Sequence, residues 1–162
     1  MIGARTENVG FDSRPEDNLA VSPVKAVNHI GIAVRSIDDH RPFYESVLGA
    51  VYEGVEEIAD QGVRVAFFRV GDVRLELLEP TNGTSPVAAF LEKRGEGLHH
   101  VAYTVERLED RIAEWTRAGL RMIDNEPRAG GHKSRVAFVH PQSTHGVLTE
   151  LCEPPSGSGA DD

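Results

Sequence analysis

The chain has 162 residues, 40% apolar and 27% charged, which suits one folded domain and excludes wholesale disorder. Twenty-six acids against seventeen bases give a net charge of −9, which argues against nucleic acid as the main partner. No run approaches eighteen apolar residues, so no membrane span is expected. The single cysteine, Cys152, excludes an internal disulfide and points to a reducing, cytoplasmic setting.

Residues 1–24 lack a hydrophobic period and carry Gly3, Gly10, Pro15 and Pro23, so they read as a loose arm. An alternating strand over 27–34 then opens a first unit. A helical stretch follows, apolar at Ile37, Phe43, Tyr44, Val47 and Leu48, started by Asp38 and Asp39 and stopped by Gly49. Strands near 51–58, 63–70 and 73–79 complete the unit. Ser85-Pro86 begins a short linker helix that ends in the turn Arg94-Gly95-Glu96-Gly97. A second alternating strand at 99–105 restarts the series. Its helix carries Leu108, Ile112, Trp115 and Leu120, and strands near 121–125, 134–140 and 146–153 follow. The tail 154–162 is rich in Pro, Gly and Ser, the composition of a flexible terminus.

The chain repeats itself. Asn28-His29-Ile30-Gly31-Ile32-Ala33-Val34 matches His99-His100-Val101-Ala102-Tyr103-Thr104-Val105 at an offset of 71 residues. Arg64-Val65-Ala66-Phe67-Phe68 matches Arg135-Val136-Ala137-Phe138-Val139 at the same offset, and Glu76-Leu77-Leu78-Glu79-Pro80 matches Glu150-Leu151-Cys152-Glu153-Pro154. The expected fold is therefore α+β: two tandem βαβββ modules, 25–80 and 97–153, joined by a linker helix within 81–96.

Strand alternation puts His29, Gly31 and Ala33 on one face, and His100, Ala102 and Thr104 on its counterpart. Each histidine then has small neighbours that leave room beside it. Glu76 and Glu150 oppose the leucines of the closing strands in the same way. Two half-buried carboxylates beside two imidazoles repel one another unless a cation joins them. This predicts a divalent metal site of His29, Glu76, His100 and Glu150, suited to Zn, Co, Mn or Ni. His99, on the bulky face, reads as core filler and His40 as a surface residue. Cys152 lacks a partner for nucleophilic catalysis. Arg128, His132 and Lys133 flank a glycine-rich loop suited to an anionic substrate tail.

Paired βαβββ modules giving one histidine and one acid each resemble the vicinal-oxygen-chelate, or glyoxalase-like, superfamily. Within it the chain is similar to the methylmalonyl-CoA epimerase family over residues 25–153. The resemblance rests on Ser85-Pro86-Val87-Ala88, Gly97-Leu98-His99-His100, Phe138-Val139-His140-Pro141 and Gly146-Val147-Leu148-Thr149-Glu150-Leu151. It implies a metal-assisted epimerase of methylmalonyl-CoA, with Glu150 as ligand and proton-transfer residue, and a homodimer as a common assembly. Some members carry a second glutamate where this chain has Val65, which cannot move a proton. Glu57, Glu76 or a metal-bound water stand open as substitutes. A glyoxalase or thiol transferase on the same scaffold, and a metal-free small-ligand binder, remain the alternative readings.

Overall fold

The structure is a computed structural model and describes residues 21–157. Most of the arm and part of the tail named above lie outside the described residues. β1 (Ala26–Ala33), α1 (Ile37–Pro42), β2 (Val51–Ile58), β3 (Val63–Val70) and β4 (Val73–Pro80) form the first module. α2 (Pro86–Arg94) links it to β5 (Gly97–Thr104), α3 (Leu108–Arg117), β6 (Arg128–Ala129), β7 (Arg135–Val139) and β8 (Thr149–Glu153). The eight strands form one sheet in the order β2-β3-β4-β1-β5-β8-β7-β6. β1 and β4 run parallel, as do β5 and β8, and the two modules meet antiparallel at β1–β5.

The sheet faces are sorted by the alternation of each strand. On the outside, Val34, Ala66, Phe68 and Leu77 pack against Ile37 of α1, and Val105, Val139 and Leu151 pack against Leu108 and Ile112 of α3. On the inside, Val63, Val65, Phe67 and Leu78 meet Val87 and Leu91 of α2. The repeated Glu-Pro motif has a structural use. Glu79 accepts the backbone N–H of Ile37 at 2.7 Å, and Glu153 accepts that of Leu108 at 3.3 Å. Each carboxylate thus serves an orphan donor at the start of its module's helix.

Three expectations of local structure are corrected. The first helix changes pitch at Pro42, which lacks the N–H an α-helix needs, and continues as a π-turn over Phe43–Val47 with Leu48 N–H bonded to Phe43 O. The strand expected at 121–125 reduces to a single bridge between Met122 and Val139, and the regular pairing shifts to Arg128–Ala129. The last strand starts at Thr149 because Gly146, at φ 92°, still belongs to the preceding turn.

Candidate metal centre and substrate cavity

Strand register builds the site. One row of paired residues crosses the sheet as Phe67, Glu76, Gly31 and His100; its counterpart runs Phe138, Glu150, Ala102 and His29. Each row brings one module's histidine next to the other module's small residue and carboxylate. Gly31 is needed for this approach, since a Cβ there would lie 2.2 Å from His100 Cε1. His29, Glu76, His100 and Glu150 are all buried.

His29, His100 and Glu150 offer ligand atoms that all lie within 4.8 Å of one another. His29 Nε2 stands 3.0 Å from His100 Nε2 and 3.4 Å from Glu150 Oε1, and His100 Nε2 stands 3.3 Å from Glu150 Oε2. Ligands each about 2.0–2.1 Å from one ion are roughly 2.9–3.4 Å apart at cis or tetrahedral angles. The observed spacings fit that range. Glu150 Oε1, moreover, is buried without a hydrogen-bond partner among the described residues. Glu76 stands beside this trio, with Oε1 3.4 Å from His29 Nδ1. That nitrogen already bonds Asn28 Oδ1 at 2.8 Å, so the Glu76 carboxylate gains little from it.

The electrostatics also call for a cation. Burial, with Arg74 and His132 adding to it, pushes His29 down to about 3, and burial pushes Glu76 up to about 8. Burial, then His29 and His99, holds His100 well below the usual imidazole range. Burial, then the neighbouring Glu76, holds Glu150 well above the usual carboxylate range. Alone, the four groups favour neutral forms; a bound divalent ion reverses the carboxylate preference.

The trio opens into a cavity of about 480 Å³ with largely apolar walls, including Ile58, Val65, Leu78, Phe90 and Leu148. Lys93, Arg94 and Arg128 line the same cavity. A second cavity of about 260 Å³, lined in part by Arg74, His132 and Cys152, shares His29, Glu76 and Gly131 with the first. Between them lies a strap from module two to module one. Gln61 Nε2 donates to Ala129 O at 2.8 Å, and His132 N–H donates to Glu56 Oε2 at 3.1 Å. The His132 ring packs 3.9 Å from that of Phe67.

Of the residues expected to bind an anionic tail, Arg128 lines the main cavity and pairs with Asp124 at 3.0 Å. His132 lines the smaller one, whereas Lys133 is exposed and lines neither. Glu57 is exposed on β2, away from the cavity lining. His40 packs on its own helix, with Nδ1 at 2.8 Å from Ser36 O. Cys152 is buried, and burial followed by Glu150 pushes its thiol up to about 12. His99 departs from its expected place in the core. The β1–β5 register skips it between His100 and Leu98, and this bulge turns its ring into the main cavity against Phe90. Alternation alone hides such a residue, and the paired His-His was the only sign of it in the sequence.

The glyoxalase/bleomycin resistance protein/dioxygenase profile matches residues 28–138, which hold the repeat unit and three of the four buried site residues. The chain belongs to that superfamily. Members of the glyoxalase superfamily typically hold a divalent metal, and the His29–His100–Glu150 cluster is suited to one. Within the superfamily, the uncharacterized protein YqjC of Bacillus subtilis (strain 168) is 48% identical over 128 residues, 79% of this chain and 91% of that one. The ethylmalonyl-CoA/methylmalonyl-CoA epimerase of Cereibacter sphaeroides is 38% identical over 130 residues, 77% of this chain and 95% of that one. A solved structure of a Streptomyces coelicolor methylmalonyl-CoA epimerase variant, in complex with 2-nitronate-propionyl-CoA, matches with a TM-score of 0.81 at 35% identity. The match covers 85% of this chain and 100% of that one.

Proposed function

We propose that this chain epimerises methylmalonyl-CoA, interconverting its 2R and 2S forms by removing and returning the C2 proton. The observation that carries this reading is the convergence of His29, His100 and Glu150 on one point of an apolar cavity, in a chain whose relatives are epimerases of that thioester. His29, His100 and Glu150 would hold the ion, with Glu76 as the fourth ligand. A divalent ion there would stabilise the enolate charge that develops on the thioester oxygen.

The chain's own residues supply the rest. Ile58, Val65 and Leu78 exclude water from the acyl group, and Lys93, Arg94 and Arg128 offer cations to the anionic CoA moiety. Epimerisation needs proton carriers on both faces of a planar intermediate. Glu150 on module two serves one face through the carboxylate oxygen that the ion would leave free. Val65 cannot serve the other, and Glu57 lies off the cavity. Of the two module-one carboxylates that line the cavity, Asp60 is exposed, whereas Glu76 is buried beside the metal point and takes the second role.

Exchange of the C2 hydrogen in D₂O tests the assignment. The metal-loaded protein is expected to wash deuterium into both epimers. Glu150→Gln and Glu76→Gln each keep a coordinating oxygen, and each is expected to slow exchange from one epimer by about 10²–10⁴-fold while sparing the other. A metal-loaded protein that exchanges no label overturns the reading.

A further inference from the structure

The two histidines that converge on the candidate metal point need their outward nitrogens occupied. An imidazole binds a metal through a lone pair on one nitrogen, so the proton must sit on the other, and whatever accepts that proton sets the tautomer. In both modules the residue immediately before the histidine stands at that outer nitrogen, and the two modules use different side chains. Asn28 Oδ1 lies 2.8 Å from His29 Nδ1. Its amide is oriented by a second bond, Asn28 Nδ2 donating to Thr104 Oγ1 at 3.0 Å, which turns the oxygen toward the ring. In module two, His99 Nδ1 lies 2.9 Å from His100 Nδ1. The β-bulge at His99 makes this possible, because regular alternation would send its ring to the opposite face. Phe90 steadies the ring, with centroids 4.9 Å apart.

We infer that Asn28 and His99 are equivalent positioning residues that set the tautomers of His29 and His100, leaving both Nε2 lone pairs free for one divalent ion. This rests on the metal reading above and deepens it. In module two the relay runs in one direction. His100 keeps its proton on Nδ1 and donates it to His99 Nδ1, so His99 carries its own proton on Nε2. In module one the acceptor is an amide oxygen, which has no tautomer to choose. The duplicated halves thus meet one requirement with two chemistries at matching positions.

Zinc affinity by chelator competition, together with long-range ¹H–¹⁵N spectra of the zinc-loaded protein, tests the inference. Losing an outer partner of a ligand histidine typically weakens metal binding 10–100-fold, and His99→Leu and Asn28→Leu are each expected to show a loss of that size. His99→Asn places an amide oxygen where the module-one residue has one, and is expected to restore affinity close to that of the unaltered protein. The spectra of the unaltered protein are expected to show His100 protonated at Nδ1 and His99 at Nε2, a signature that packing alone does not produce. A His99 protonated at Nδ1, or a folded His99→Leu with undiminished zinc affinity, overturns the tautomer assignment while zinc uptake by the unaltered protein leaves the site reading standing. An unaltered protein that binds no zinc removes both.

Discussion

At the scale of single residues, the site combines groups that burial alone would leave uncharged. Glu76 titrates at about 8 against an ordinary 4.5, so between those values the folded chain keeps a proton that the unfolded chain has released. Its contribution to stability therefore falls as pH rises through that window. His29 titrates at about 3 against an ordinary 6.5, so there the unfolded chain binds the extra proton and stability rises with pH. The two slopes cancel between 4.5 and 6.5, and above 6.5 the loss due to Glu76 remains, reinforced by Glu150, which burial also raises well above its ordinary value. Urea unfolding of metal-free protein is expected to show stability declining from pH 6.5 to 8, and saturating divalent metal is expected to remove the decline. Gly31 makes a second residue-scale test. A methyl group 2.2 Å from the His100 ring cannot be absorbed by a side chain walled in on β5. Gly31→Ala is expected to cost about 1–3 kcal/mol of stability and to abolish zinc uptake, read by thermal unfolding and chelator competition.

At the scale of elements, two irregularities shape the cavity. The bulge at His99 brings a third imidazole into the wall, and the strap around Gly131 spans from module two to module one. Gly131 has no room for a side chain, because a Cβ would stand 2.9 Å from Phe67 Cζ. Gly131→Ala is expected to lift the strap from β3 at a cost of about 1 kcal/mol. KM for the CoA thioester should rise more than kcat falls, and amide exchange should quicken across residues 128–134 with the rest of the sheet unchanged. Uniform quickening across β1 and β5 would mean that the substitution acts on the whole fold.

At the scale of the molecule, the site is a seam. β1 and β4 of one module and β5 and β8 of the other each contribute a histidine and a glutamate, so an ion held there ties the two halves together. A ligand at 100 times its Kd stabilises the folded state by about 2.7 kcal/mol, which for a domain of this size is about 5–11 °C in Tm. Chelation is expected to lower Tm by that order. An unchanged Tm would count against metal binding between the modules.

Duplication, the βαβββ order, and the pairing of His29 with Glu76 and of His100 with Glu150 could all be read from the sequence. They depend on periodicity and on spacing along one chain. The Glu-Pro repeats looked equally informative there, yet they turned out to serve helix starts, because a carboxylate's partner is set by what lies across the sheet. Distances between strands remote in sequence were decided only by the tertiary structure. Register at β1–β5 determined that Nε2 of both histidines meets Glu150 while Glu76 lies one step aside. A single skipped residue moved His99 from the core side to the cavity. Alternation counts residues along one strand, but a bulge arises from how two strands match, and that information is shared between segments about seventy residues apart.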